Sequence, residues 1–154
     1  MAAKYAIVDE PAPSKLQRFG VNPLWIFLGA IFGGSGVGVL WFALNSLAIG
    51  SATKTKEFAY VALCLLGTPL VYLLIGVLWE RGVLTEGVRP YLHLVITVFQ
   101  LVIVYQLHLV QSRSFQLFEL FGGVAKNGVL VVVALALLRP RLHEALGVWS
   151  WLLL

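Results

Sequence analysis

The sequence predicts an all-α integral membrane protein, built as a four-transmembrane-helix up-down bundle with short loops. Of its 154 residues, 60% are hydrophobic and 12% are charged, whereas a soluble chain carries roughly a quarter charged residues. Long uncharged runs and aromatic residues at their ends point the same way. The surface that a soluble protein would cover with charge is therefore expected to face lipid.

Four segments are expected to cross the membrane, since about 20 residues of helix span about 30 Å of hydrocarbon. Three of them lie between charged residues and span about 23–49, 58–79 and 91–109. The fourth, about 118–138, contains Lys126, which would lie near mid-depth at a cost of ~2.5–3.5 kcal/mol. Short connections between the four predict antiparallel neighbours, as in an up-down bundle.

The charged flanks predict the orientation. Residues 1–22 are expected to form a cytoplasmic arm, 23–138 the membrane domain, and 139–154 a cytoplasmic or interfacial tail. With four spans, seven basic residues fall on one side and three on the other: Lys4, Lys15, Arg18, Arg81, Arg89, Arg139 and Arg141 against Lys54, Lys56 and Arg113. Because Lys and Arg are retained on the cytoplasmic side, both termini are expected in the cytoplasm, with a bacterial inner (plasma) membrane as the location.

Glycines recur along the first predicted span. Gly29 with Gly33, and Gly34 with Gly38, form two small-xxx-small pairs, which let another backbone approach closely. We interpret them as a packing or oligomer seam, and the sequence leaves open whether the partner belongs to the same chain.

Within that series, residues 33–36 (Gly-Gly-Ser-Gly) resemble the G-x-S-G serine motif of rhomboid intramembrane proteases. The resemblance covers four residues and implies Ser35 as a nucleophile with His93 or His108 as its base. Rhomboid enzymes use a six-helix core, whereas this motif lies in the first helix of four. Packing is the interpretation that we expect.

A polar face is predicted on the third span. At 100° per residue, an arc of about 80° contains five polar side chains, namely His93, Thr97, Gln100, His108 and Gln111. Polar groups at membrane depth avoid lipid, so this face is expected to form interhelical hydrogen bonds. A hydrated pathway and a haem pair are alternatives, although one helix cannot direct both histidines at a single iron.

The fourth span carries Glu119, Lys126 and Asn127 at helical spacing. We expect them to line one side of that helix. An intramembrane lysine is a functional-site candidate, and extension of its side chain towards an interface is the competing explanation.

Function is predicted by elimination. The charges lie mainly in flanks and loops, so we expect no enzyme, no cofactor and no metal site. A small bundle of this kind is expected to act by helix–helix contact, as an accessory or assembly subunit of a membrane complex or as an immunity-type protein. The alternative is a homo-oligomeric ion channel or transporter that uses the polar faces of the third and fourth helices. The expected partners are the lipid bilayer and other membrane subunits or further copies of the chain, and the net charge of +4 is expected to attract anionic lipid and no nucleic acid.

Overall fold

The computed structural model describes residues 16–146, except for the side chains of residues 89, 90 and 146. Within this range the protein is all-α, with no strand beyond an isolated bridge between Val21 and Lys126. Its helices are α1 (Pro23–Gly33), α2 (Ser35–Ala48), α3 (Lys54–Glu80), α4 (Arg89–Leu120) and α5 (Val129–Leu146), with 3-10 turns at Gln17–Phe19 and Glu86–Val88. Most of the predicted N-terminal arm, and the tail beyond 146, lie outside the described residues.

Within residues 16–146, two helices are long and apolar enough to cross a membrane. α3 has 27 residues and α4 has 32, which correspond to about 40 and 48 Å at 1.5 Å per residue. The predicted spans 58–79 and 91–109 lie inside these two helices. The helical class is thus confirmed, with membrane crossing supported for α3 and α4.

The predicted first span, 23–49, is not one helix. α1 ends and α2 begins at Gly34, whose φ of 114° is readily adopted only by glycine. The chain then turns back, because a Cβ built on Gly38 would lie 2.6 Å from the Cα of Ala30. In a continuous helix, residues eight apart are separated by about 12 Å. α1 and α2 are therefore the two arms of an antiparallel helical hairpin.

The predicted fourth span, 118–138, is displaced along the chain. α4 continues to Leu120, a loop passes through Gly122 at φ 84°, and α5 begins at Val129. α5 then runs parallel to α1, since Gly128 packs on Trp25 near the start of α1 and Leu135 packs on Gly33 at its end. Its last turns carry three charged residues, Arg139, Arg141 and Glu144, so it does not count among the helices able to cross. The four-span arrangement is therefore not confirmed.

The core lies where the hairpin packs against α3 and α4. Ile26 of α1, Phe42 of α2 and Leu107 of α4 are fully buried, and Val61 and Cys64 of α3 join the same cluster. Large apolar side chains elsewhere on α3 are exposed, as expected for a surface in contact with lipid. Among them are Leu66, Leu70, Leu73 and Leu74.

Candidate functional site

A buried polar cluster joins the open end of the hairpin to α3 and α4. We call it the base network and define it by six side chains: Asn45, Ser51, Thr53, Glu57, Gln111 and Ser114. Four of them, Asn45, Ser51, Glu57 and Gln111, are at most 3% exposed. Polar groups buried this deeply require partners, and the base network supplies them from four different segments of the chain.

Asn45 closes the open end of the hairpin. Its Oδ1 accepts from the backbone N–H of Val21 at 2.8 Å, and its Nδ2 donates to the carbonyl of Val21 at 2.9 Å. Since the Val21 N–H can only donate, the orientation of the Asn45 amide is set. Its second N–H then points to Oε1 of Gln111, at 2.8 Å.

The bond from Asn45 also fixes the orientation of the Gln111 side-chain amide, which in turn bonds α3. Its Oε1 accepts from Asn45, so its Nε2 must donate, and it does so to the carbonyl of Phe42 at 3.0 Å and to Oε2 of Glu57 at 2.8 Å. One amide from α4 thus bonds the middle of α2 and the start of α3. All hydrogen-bonding groups of the Gln111 side chain are used inside the protein.

Glu57 is fully buried in the first turn of α3. Its Oε1 accepts from the hydroxyls of Ser51 and Thr53, the latter at 2.8 Å. The positive end of the α3 dipole favours a carboxylate at this position. Ser114 of α4 completes the group, with its Oγ 2.8 Å from Ser51 Oγ and 2.9 Å from Thr53 Oγ1.

The base network is therefore a connected set of hydrogen bonds that ties the hairpin to the two long helices. Within residues 16–146 its carboxylate makes no ion pair, and its hydrogen-bond donors are neutral amides and hydroxyls. Removing one member would leave a buried partner unpaired, at a cost of about 1–3 kcal/mol. The arrangement positions the hairpin against α3 and α4.

The side chains of the predicted polar face on α4 have different surroundings. Gln111 belongs to the base network, and Gln100 donates to Thr68 Oγ1 on α3 at 3.3 Å. Thr97 is exposed and its hydroxyl donates to the carbonyl of His93 at 2.9 Å. The His108 ring packs on Phe27 of α1, with centroids 5.2 Å apart. Two of the five side chains thus hydrogen-bond neighbouring helices.

The four glycines of the predicted seam pack within the chain. A Cβ on Gly29 would meet Trp41, one on Gly33 would meet Leu135, and one on Gly38 would meet Ala30. Gly34 forms the turn of the hairpin. The close approach that these glycines allow is made between α1, α2 and α5 of a single protomer.

Glu119, Lys126 and Asn127 do not line one helix. Glu119 is exposed near the end of α4, whereas Lys126 and Asn127 are exposed in the loop before α5. The Lys126 N–H donates to the Gly20 carbonyl at 2.7 Å, and Asn127 Oδ1 accepts from the Val129 N–H at 2.9 Å. The prediction that Lys126 lies at mid-depth within a helix is therefore wrong, because α5 begins three residues after it, at Val129.

The rhomboid-like motif lies at the tip of the hairpin. Ser35 Oγ and His108 Nδ1 are both buried and make no hydrogen bond within the described residues. His108 packs at the level of Phe27, seven residues before Gly34 and hence about 10 Å along α1 from the turn. The structure does not bring these two groups together as a catalytic pair.

The hydrogen-bonding partners of the base network could not be read from local sequence. Asn45 lies in an apolar run whose other polar residues are Ser35 and Ser46, and that is the one signal that singles it out. Glu57, Ser51, Thr53 and Ser114 resemble ordinary flanking residues, since only the fold brings them next to Gln111. No group of three or more His, Cys, Asp or Glu side chains that could hold a metal occurs within residues 16–146.

No family model, curated protein or solved structure matches this chain. Any inference about its function therefore depends on the chemistry of the residues described above.

Proposed function

We propose that this protein is a non-enzymatic membrane subunit that acts by helix–helix contact, as an accessory or assembly component of a membrane complex. The proposal rests on the hydrogen bonds that the side chains of Gln100 and Gln111 make. These side chains bond neighbouring helices of the same protomer, so two of the five polar side chains on this face of α4 support the fold internally. The surface left for partners is mainly apolar.

An open groove supports contact as the mode of action. It lies between α2 and α5, has a volume of about 590 Å³, and is lined by apolar side chains that include Leu40, Leu44, Val131 and Leu135. In a bilayer such a groove is filled by lipid or by a helix, and van der Waals packing drives helix association there. We propose a partner helix as its occupant in the assembled complex.

The proposed membrane placement differs from a four-span bundle. The arms of the hairpin have 11 and 14 residues, about 16 and 21 Å long, which is short of the hydrocarbon thickness of about 30 Å. We propose that the hairpin enters and leaves on one side while α3 and α4 cross. Irregular backbone at membrane depth is tolerated where protein buries it, and the hairpin turn, Gly33–Gly36, is buried.

This placement changes which basic residues lie on each side of the membrane. The side that holds the open end of the hairpin carries five of them, Arg18, Lys54, Lys56, Arg113 and Lys126. The other side carries four, namely Arg81 after α3, Arg89 at the start of α4, and Arg139 and Arg141 near the end of α5. With five basic residues against four, the positive-inside rule supports our proposal that the first side faces the cytoplasm. Because α5 starts on that side and runs parallel to α1, we propose that its end lies away from the cytoplasmic face, in contrast to the sequence-based expectation for the C-terminal tail.

A channel or transporter is the second candidate, and the interrupted helix pair favours it. Discontinuous helices that meet near the bilayer midplane form substrate and ion sites in many transporters. The turn at Gly34, where the hairpin reverses direction, would likewise place irregular backbone inside the bilayer. A single protomer of this size would require several copies to enclose a pore.

The deciding experiment is the mass of the complex extracted at native expression level into nanodiscs, with every co-purifying protein identified. A defined complex with a different protein supports the accessory function. A ring of this chain alone, with ion flux after reconstitution, supports the channel and contradicts our proposal. An Asn45→Leu variant serves as the control for disrupted folding.

A further inference from the structure

A second cavity lies at the opposite end of the long helices. It has a volume of about 380 Å³, within the range of about 300–1,000 Å³ typical of ligand sites, and lies between the end of α3 and the start of α4. Eight residues line it: Tyr72, Ile75, Gly76, Trp79, Glu86, Leu92, His93 and Ile96. The base network does not contribute to it.

The polar lining of this cavity has a specific chemistry. Tyr72, Trp79 and His93 supply aromatic rings, and Glu86 supplies a carboxylate. Among the side chains that the structure describes, which exclude those of residues 89 and 90, no Lys or Arg lines the cavity. Aromatic faces attract cations through the ring quadrupole, and walls of this kind combined with an acid recognise quaternary ammonium groups.

The position of the cavity relative to the membrane is also consistent with binding of a quaternary ammonium group. Trp79 is the last residue but one of α3, and Glu86 begins the 3-10 turn before α4. Tryptophan at the end of a spanning helix marks the headgroup layer. The apolar part of the lining, Ile75 and Ile96, lies further along the helices from that end. The cavity is thus open to polar groups at one end and to hydrocarbon at the other.

We propose that this cavity binds an alkylated ammonium group, supplied either by a choline-type phospholipid headgroup or by a small soluble cation. Glu86 and His93 each make a further interaction within the chain. A carboxylate has about four lone-pair sites, so one partner within the chain does not occupy every acceptor site of Glu86. The proposal is independent of the function proposed above.

Gly76 allows a direct test by filling the cavity. It lines the cavity, and a Cβ built on it would meet nothing within 4 Å. Gly76→Leu should therefore occupy the space with little disturbance of the fold. Val77→Leu is the matched control, since it adds bulk at the next, exposed position outside the lining. Glu86→Gln and Trp79→Leu remove the charge and the ring, and Glu80→Gln is the control for a neighbouring exposed acid.

The experiment has two arms. In the first, choline chloride is titrated against the protein in phosphatidylglycerol nanodiscs, with the Trp79 indole NMR signal as the readout and sodium chloride as the blank. In the second, native mass spectrometry counts lipids retained from an equimolar mixture of phosphatidylcholine and phosphatidylglycerol in maltoside detergent.

A saturable choline shift identifies a site for a soluble cation, and selective retention of phosphatidylcholine without such a shift identifies the lipid headgroup. In either arm we expect Gly76→Leu to abolish binding. Glu86→Gln should weaken it by roughly three- to tenfold in both arms, as expected for one cation–π or charge contact. Trp79→Leu removes the indole signal, so it is tested in the lipid-retention arm, where we expect a similar loss. The two controls should bind as the unaltered protein does.

Absence of saturable binding in both arms would overturn the proposal, as would equal binding by Gly76→Leu and the unaltered protein. If Gly76→Leu instead changed the mass of the native complex while no ammonium ligand bound, the cavity would be a contact surface for a partner protein, and the proposal would be wrong.

Discussion

The side chain of Asn45 at the end of α2 holds both backbone groups of Val21, its N–H at 2.8 Å and its carbonyl at 2.9 Å. The two residues are 24 positions apart, and this pair of bonds closes the open end of the hairpin. The third bond of the Asn45 amide, to Gln111, attaches that end to α4. The Asn45 side-chain amide thus fixes the open end of the hairpin, and glycine residues allow its two arms to pack closely.

Replacing Asn45 with Leu should destabilise the protein by about 2–4 kcal/mol, because it leaves the Val21 backbone and Gln111 Oε1 buried without partners. Equilibrium unfolding in detergent micelles measures the loss. Asn127→Ala is the matched control: Asn127 is exposed and caps α5, so its loss should cost about 1 kcal/mol or less. Equal losses for the two variants would contradict a central role for Asn45.

Gly38 should not tolerate a side chain. A Cβ there would lie 2.6 Å from the Ala30 Cα and 3.1 Å from its backbone N, so Gly38→Ala must push α1 and α2 apart, at a cost of about 1–3 kcal/mol. Gly76→Ala provides the comparison, since a Cβ on Gly76 meets nothing within 4 Å and alanine is favoured over glycine inside a helix by about 0.5–1 kcal/mol. Unfolding in micelles should therefore shift in opposite directions, and a stable Gly38→Ala protein would argue against the close hairpin.

Substitutions of Glu57 should distinguish the effect of side-chain shape on stability from the effect of hydrogen bonding. Glutamine keeps the shape: its oxygen can accept from Gln111 while its amide donates to the hydroxyls of Ser51 and Thr53, which can rotate. We therefore expect Glu57→Gln to be close to neutral and Glu57→Leu to lose about 1–3 kcal/mol through unpaired buried donors. The same changes at exposed Glu80 should have little effect, and thermal unfolding of the four variants makes the comparison. A tolerated Glu57→Leu would show that the carboxylate is dispensable to the base network.

Cysteine labelling distinguishes a re-entrant hairpin from a crossing helix. In a Cys64→Ala background, single cysteines at Gln17 and Thr55, both exposed, should react with a membrane-impermeant maleimide from the same side of the membrane. A cysteine at Val83, in the loop after α3, should react from the other side. Labelling of Gln17→Cys and Thr55→Cys from opposite sides would restore the single first span and reject the hairpin topology.

The helical class and the two long helices could be predicted from the sequence because they depend on local composition. α3 and α4 lie between charged residues, and the apolar run between those charges is long enough to cross a bilayer on its own. Their ends extend past the predicted spans, since polar and charged residues such as Arg113 continue the same helices beyond the apolar part.

The hairpin could not be predicted in the same way. The run 23–49 is as apolar when folded back on itself as when extended, so hydropathy alone does not distinguish the two. What decides is the contact between Gly38 and Ala30, together with the positive φ of Gly34. The glycine pattern indicated close packing and left the partner open.

By itself, the sequence determined that this chain is helical, that α3 and α4 can span a membrane, and that glycine permits a close contact near its beginning. Only the tertiary structure decided that the first apolar run turns back at Gly34, that Lys126 lies in a loop, and that Asn45, Gln111 and Glu57 form one network. The physical reason is the separation along the chain over which each effect acts. Hydropathy and helical period depend on neighbouring residues. The hydrogen bonds of the base network instead join groups as far as 69 positions apart, and only the fold can bring such groups together.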